Sequence, residues 1–348
     1  MEIGLIGCGG IAPSHLEVYR NMPDVEITSL CDLNEDRAKT LAAKYKVPKT
    51  YNDYFEMFEK EKLDLVDICT PVTTHARIVC DAAEVVPSIL IEKPMAFNVA
   101  QCDEMIAKIH KHGRKLCIGH CQLFSPLVQK ADKIVNSGNF DLLSFRTTLR
   151  ASFENLKAHE LAPAWNVAPE QRGIIWEVCC HHAYLQLHFL PNIKEVYAVG
   201  GKVKYPVYDD FSVLLKTNDD SYGLIELSWV SKETDVTYEF RGKTGRRMQI
   251  DWEHDNLFEL GQDPPFSVGL VAKNMLIDQK RLLQKWAKFE ACFVRKNKLL
   301  PAFNLISSYI DAIKNDRESP VTPEEGRNAI RLLESIESSL IKGAPVSL

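Results

Sequence analysis

The sequence predicts an α/β domain built on a doubly wound parallel sheet, followed by an α+β domain with a large, mainly antiparallel sheet. Three observations carry this reading. Residues 1–122 alternate short apolar runs with helical stretches, the pattern of a parallel sheet covered on both faces. The first run, Glu2-Ile3-Gly4-Leu5-Ile6, enters a glycine-rich turn, Gly7-Cys8-Gly9-Gly10-Ile11-Ala12. Further along, the pattern changes to the long two-residue alternation of antiparallel strands. A chain of 348 residues exceeds what one core ordinarily supports, so two domains, 1–122 and 123–348, are expected.

In the first domain, strands near 2–6, 25–31, 64–69, 88–92 and 115–119 are separated by helices near 14–22, 35–46, 52–61, 73–85 and 99–112. Gly113 reads as a helix stop. In the second, a helix near 126–136 ends at Asn136-Ser137-Gly138-Asn139. Alternating segments follow near 142–153, 194–204, 210–217, 221–231, 235–242 and 246–252, interrupted by a helix near 173–190. Asn218-Asp219-Asp220-Ser221 and Gly242-Lys243-Thr244-Gly245 read as hairpin turns. Residues 270–298 are basic and amphipathic, a solvated helix face or an oligomer contact. Thr322-Pro323-Glu324-Glu325 opens a last helix running to about 341, with Thr322 as N-cap and Pro323 at the first position.

Composition narrows the function classes. A net charge of −5 argues against a broad electrostatic grip on nucleic acid. No apolar run reaches membrane-spanning length, and no basic region followed by an apolar stretch opens the chain, so neither a membrane partner nor a signal peptide is expected. Ten cysteines lie scattered through strands and helices. That suits a reducing cytoplasm, where thiols pack as small apolar groups.

The glycine turn has a mechanism. Gly7 permits the tight turn, and Gly9 lets a pyrophosphate approach the backbone. The small Ala12 lets the helix pack close to the strand, and the N–H groups of the Gly10-Ile11-Ala12 helix start face the phosphates. The second strand ends at Asp32, twenty residues after Ala12. A carboxylate there accepts hydrogen bonds from a ribose 2′-hydroxyl and repels a 2′-phosphate. The expected cofactor is therefore NAD, with NADP less suited.

Ligands of such a sheet bind outside the carboxyl ends of the strands. Two segments lie there, Cys69-Thr70-Pro71-Val72-Thr73-Thr74-His75 and Ile91-Glu92-Lys93-Pro94; a third, Glu177 to Tyr184, comes from the second domain. Oxidising a secondary alcohol needs a base for the hydroxyl proton, and reducing a ketone needs an acid in the same place. Lys93 serves if burial lowers its pKa towards neutrality; His181 needs little tuning. Glu177 and His181 are four residues apart and share a helix face with Tyr184. Glu177 then orients His181 or pairs with Lys93. His182 sits about 100° round the helix and is the poorer candidate. Glu92 shapes the backbone or contacts the cofactor amide, and His75 contacts the cofactor or caps the following helix. His120, Trp165, Asn166, Arg172 and Tyr184 are candidate substrate contacts, beside Lys93, Glu177 and His181. Two Cys/His clusters, Cys117-His120-Cys121 and Cys179-Cys180-His181-His182, lack zinc-finger spacing, so no metal is expected.

The glycine turn, Asp32, Thr70-Pro71 with His75, and Glu92-Lys93-Pro94 stand in an order and spacing that resemble the glucose–fructose oxidoreductase / inositol dehydrogenase / MocA (Gfo/Idh/MocA) family. Gly173 to His181 is similar to that family's helix bearing an Asp and a His four residues apart, and Pro320 to Gly326 to its closing helix entry. The resemblance covers nearly the whole chain. It implies a Rossmann domain, an antiparallel-sheet substrate domain, and an NAD(P)-dependent oxidoreductase acting on a sugar, polyol or nucleotide-sugar-like compound. It further implies that Lys93 and His181 serve hydride transfer, that Arg37 lies by the adenine, and that the chain forms a homodimer or homotetramer. The chain departs from the family at Glu177 for Asp, Cys179 for Gly and Tyr184 for Asp, and Gly119-His120-Cys121-Gln122-Leu123-Phe124 lacks the usual Asn and Arg. These departures keep two alternatives in view: an NAD-binding sensor without turnover, and an NAD-dependent glycoside hydrolase.

Overall fold

The computed structural model describes residues 1–158, 164–252, 255–260 and 300–348. The basic stretch 270–298 lies outside the described residues. The chain forms two compact units. One gathers Met1–Ser125, Trp176–Leu185 and a late segment that ends at Glu334; the other takes Pro126–Ile175, the chain from Gln186, and Ser335–Leu348.

The first unit is built on β1 (Glu2–Ile6), β2 (Glu26–Cys31), β3 (Lys49–Tyr51), β4 (Leu65–Ile68), β5 (Ser88–Ile91) and β6 (Lys115–Ile118). The strands pair in the order β3-β2-β1-β4-β5-β6, all parallel. This is the doubly wound sheet the sequence predicts. Every residue of β4 and β5 is buried, as helices on both faces require. Asp67 in β4 is the exception in character: a carboxylate with no exposed surface. The order reverses between β1 and β4, so their carboxyl ends open a crevice where ligands of such sheets sit. The sequence reading has no counterpart for β3, whose three residues are too few to show a period.

Local signals set the helix ends. Asn34 accepts the Asp36 and Arg37 N–H groups and opens the helix Glu35–Tyr45. Gly113, at φ +60°, ends the helix Val99–His112, in agreement with the sequence. The helix Pro323–Lys342 starts with a reciprocal box: the Glu325 N–H donates to Thr322 Oγ1, and the Thr322 N–H donates to Glu325 Oε2.

The second unit carries β7 (Leu142–Ser152), β8 (Ile193–Gly201), β9 (Asp210–Thr217), β10 (Tyr222–Ser228), β11 (Val230–Gly242), β12 (Arg247–Asp251), β13 (Asn256–Leu260) and β14 (Val346–Ser347). The order is β13-β12-β11-β7-β10-β9-β8-β14. All pairs are antiparallel except β7 with β10. Along β9, Phe211, Val213 and Leu215 are buried while Ser212, Leu214 and Lys216 are exposed, so one face packs and the other is open. The sequence reading does not anticipate β13 or β14.

The helix expected near 173–190 is two helices, Gly173–Glu177 and Cys179–Phe189. Val178 separates them, and the His181 N–H donates to the Val178 carbonyl at 3.0 Å. Glu177 and His181 therefore do not share one continuous helix face. Among the described residues, no helix is long and apolar enough to cross a membrane.

Gly7 is the residue the first unit can least replace. Its φ is +95°, and an added Cβ would lie 2.6 Å from the Cys69 carbonyl oxygen. Gly7→Ala is expected to lower unfolding free energy by about 1–3 kcal/mol, as for other strained backbone positions. A urea titration reads this directly; a midpoint equal to the parent's would contradict the close approach of β1 and β4.

Candidate active site

The glycine turn ends β1 and delivers the chain to the helix Ala12–Arg20. Gly9 and Gly10 face open space: an added Cβ on either would meet nothing within 4 Å. The Gly9, Gly10 and Ile11 N–H groups have no acceptor among the described residues, and Ile11 caps the helix with no side-chain bond. Ile11 is exposed and Ala12 fully buried. Asp32 closes the cradle from the end of β2. Its Oδ2 accepts the Cys8 N–H at 2.7 Å, and its Oδ1 accepts the Asn34 N–H at 2.8 Å. Open space, free N–H groups and a fixed carboxylate fit a dinucleotide: Gly9 to Ala12 would take the pyrophosphate and Asp32 the ribose. Arg37 is exposed on the following helix.

Beyond β4, Thr70 is half-buried and Pro71 exposed. His75 has no exposed surface; its Nδ1 lies 2.9 Å from the Pro94 carbonyl and its Nε2 2.8 Å from the Thr70 carbonyl. The ring presents no open surface, and the following helix has Pro71 at its N-cap with no side-chain bond. Both nitrogens face backbone carbonyls, and burial lowers the His75 pKa, so the neutral ring donates its single N–H to one of them while it packs between the turn after β4 and the turn after β5.

After β5, Lys93 carries the central charge. Its Nζ donates to the Glu177 carbonyl at 3.0 Å and to Glu177 Oε1 at 3.1 Å. An ammonium has three donors, so among the described residues one N–H is left over. Burial disfavours the charged form, but the Glu177 and Glu92 carboxylates outweigh it and hold the Lys93 pKa above 10.5. This corrects the sequence expectation of a lysine tuned towards neutrality: burial here comes with two counter-charges.

His181 sits opposite in character. It is half-buried, and its Nδ1 lies 2.8 Å from the Tyr184 hydroxyl. Burial and the nearby Lys93 charge push its pKa well below 6.5, so the ring is neutral at neutral pH. Among the described residues, its Nε2 carries no hydrogen-bond partner. Glu177 pairs with Lys93, and Tyr184 holds the imidazole, so the orienting role assigned to Glu177 passes to Tyr184.

Two substrate contacts expected from the sequence need correction. Tyr184 is 3% exposed and its oxygen also receives the Gln122 N–H at 3.2 Å. His120 is 1% exposed, stacks on the Tyr184 ring at 4.1 Å, and burial pushes its pKa down to about 3. Neither offers a surface to a substrate. Arg172, in the second unit, lies 3.4 Å from Glu337. The Trp165 side chain lies outside the described residues. His182 is buried and its pKa falls to about 3 through burial.

The comparisons with known proteins agree with this layout. A family model described as an oxidoreductase family with an NAD-binding Rossmann fold matches residues 1–120, and a GFO/IDH/MocA C-terminal domain model matches 128–247. The chain belongs to the Gfo/Idh/MocA oxidoreductase family. It is 24% identical over 357 residues to the uncharacterized oxidoreductase YrbE of Bacillus subtilis (strain 168), covering 99% of this chain and 96% of that protein. It is 31% identical over 138 residues to the myo-inositol 2-dehydrogenase of Thermotoga maritima, covering 40% of this chain and 41% of that protein. In fold it resembles an oxidoreductase from Agrobacterium radiobacter solved in complex with NAD+, L-tartaric acid and magnesium. There the TM-score is 0.79 at 17% identity, over 100% of this chain and 98% of that chain.

One set of groups in this Gfo/Idh/MocA chain escapes the motif reading: His15, Tyr19, Asp67 and Cys69, all buried. The available signal is a charge, Asp67, inside the apolar run Leu65–Ile68. His15, Asp67 and Cys69 lie close enough to suggest a metal cluster. However, His15 Nδ1 and Asp67 Oδ2 are 2.7 Å apart, a hydrogen-bond distance shorter than the spacing of ligands about a zinc ion with bonds near 2 Å.

Tyr184→Phe is expected to cost about 1 kcal/mol by removing a shared hydrogen-bond partner, and to move the nitrogen resonances of His181. Urea unfolding and 15N spectra of histidine-labelled protein check this. Unmoved His181 resonances would contradict the bond.

Proposed function

We propose that the chain is an NAD-dependent dehydrogenase acting on a CH–OH or keto carbon of a sugar, polyol or nucleotide-sugar-like substrate. The observation that carries the reading is the pairing of opposites on neighbouring groups: Lys93 held as an ammonium with one N–H unclaimed, and His181 held neutral with Nε2 unclaimed. Bound NAD supplies the hydride acceptor, or NADH the donor.

In the oxidation direction, the free Lys93 N–H donates to the substrate oxygen and stabilises the charge that builds there. The His181 Nδ1–H donates to the Tyr184 oxygen, leaving the Nε2 lone pair to take the hydroxyl proton. In reduction the same Nε2 returns it. Lys93 is then an electrostatic group and His181 the acid/base, with Glu177 fixing Lys93. Asp32 supports NAD over NADP. The unpaired face of β8 and β9, with Tyr197, Val199 and Leu214 exposed, supports self-association as a dimer or tetramer. The free thiols of the described cysteines suit the cytoplasm.

The test is anaerobic mixing with NAD or NADP and a panel of polyols and sugars, followed at the NADH absorbance band. Turnover with NAD, and far less with NADP, is expected. The oxidation rate should rise as the pH passes the His181 value below 6.5, then stay level until Lys93 titrates above 10.5. Lys93→Met should lower the rate about 100-fold or more while the NAD dissociation constant changes less than about threefold. Undiminished turnover in that variant would remove Lys93 from the mechanism. NAD binding without product across the panel would favour the sensor, and sugar release from chromogenic glycosides the hydrolase.

A further inference from the structure

His15 occupies a place that the reaction scheme does not use. It lies three residues beyond Ala12 on the first helix and is 3% exposed. Its Nδ1 is 2.7 Å from Asp67 Oδ2 in β4, and its Nε2 is 3.0 Å from Glu92 Oε1 after β5. We propose that His15 is a positioning residue of the hydride-transfer site: its ring, wedged between Asp67 and Glu92, fixes the Glu92–Lys93 segment beside which the nicotinamide ring binds. The inference rests on the dehydrogenase reading above for the place of that ring.

The geometry is that of a clamp. The two partners of His15 are carboxylates, so both ring nitrogens donate only when the imidazole carries a proton. The Tyr19 hydroxyl donates to Asp67 Oδ2 at 2.8 Å and the Cys69 thiol to Asp67 Oδ1 at 3.5 Å, which anchors the far end. At the near end, Glu92 Oε2 accepts the Lys93 N–H at 3.1 Å. Gly119 crowds the same carboxylate: an added Cβ would lie 3.2 Å from Glu92 Oε1. Glu92 is thus gripped by the backbone of its neighbour on one oxygen and by His15 on the other.

The titratable groups facing His15 are Asp67 and Cys69 from β4, Glu92 after β5 with Lys93 beyond it, Cys121 after β6, and Tyr19 from its own helix. Burial opposes a charge on His15, but Asp67 outweighs it and raises the pKa well above 6.5. Burial likewise opposes the Glu92 carboxylate, and the His15 and Lys93 charges keep it ionised. Removing the His15 cation leaves the half-buried Glu92 carboxyl with Lys93 as its remaining counter-charge, so it takes up a proton at higher pH.

The consequence is selectivity for the oxidised cofactor. The NAD+ ring is positive and the NADH ring neutral, so an ionised Glu92 favours the former. The helix that opens on the phosphate cradle also carries the residue that holds this carboxylate. The cradle and the ring end are therefore set by one element.

Calorimetry with NAD+ and fluorescence titration with NADH, on the full chain between about pH 6 and pH 9, test the proposal without a substrate. In the parent, the ratio of the NADH to the NAD+ dissociation constant should be flat. Glu92→Gln should lower that ratio about 5- to 10-fold at every pH. His15→Gln should match the parent at the alkaline end and approach Glu92→Gln at the acid end. A His15→Gln ratio that follows the parent throughout would overturn the proposal, even if both affinities fell together, because that pattern marks a merely structural role. Should His15→Gln fail to fold, an unchanged ratio in Glu92→Gln overturns it equally. If the parent binds neither cofactor, the dehydrogenase reading fails first and takes the proposal with it.

Discussion

A charge taken out of water must find a counter-charge, and this requirement organises the carboxyl end of the parallel sheet. Asp67, His15 and Glu92 touch at 2.7 and 3.0 Å, and the Lys93 ammonium, which feels the Glu92 charge, meets Glu177 at 3.1 Å. Burial opposes the charges on His15, Glu92 and Lys93, and their neighbours of opposite sign outweigh it. Breaking one link of such a buried pairing typically costs 3–5 kcal/mol, since it strands the partner. The chain of charges spans the first helix, β4, the turn after β5 and the helix ending at Glu177. It thereby ties four separate pieces of sequence into one site.

That arrangement decides which side chain can do what. A lysine between two carboxylates is a donor and a positive pole, and gives up its proton only in strong base. A histidine beside that lysine, with burial added, stays neutral. In the proposed reaction, electrostatics divides proton transfer and charge stabilisation between His181 and Lys93. Tyr184 completes the division. A phenol hydroxyl on Nδ1 orients the ring as a carboxylate would, without adding the negative charge that would raise the imidazole pKa.

Much of this was legible in the residues. The Gly7 turn, Asp32 and Glu92-Lys93-Pro94 sit where backbone geometry leaves little choice of side chain, so their spacing is informative. The strands of the first sheet are apolar runs bounded by turn residues, and five of the six were readable. β3, β13 and β14 were not: each is an edge or near-edge strand, short enough that neighbours rather than periodicity define it. The break at Val178 was invisible because nothing in Trp176-Glu177-Val178-Cys179 is a helix breaker. The burial of Tyr184 and His120 also lay beyond the sequence, since motif order says which residues converge but not which layer they occupy. The His15–Asp67 pair is hidden in the sequence for a related reason. Their pairing joins a helix to a strand 52 residues away, and only the fold brings them together.

The central claim is that Lys93 is a permanent cation held beside the nicotinamide ring. The most direct measurement is the pH titration of its ε-carbon resonance in 13C-lysine-labelled protein, assigned by difference against Lys93→Arg. The account expects a midpoint above 10.5 in the free protein, lowered when NAD+ is added and less so with NADH, because only the oxidised ring brings a positive charge. A midpoint near neutrality, or one indifferent to both cofactors, would contradict it.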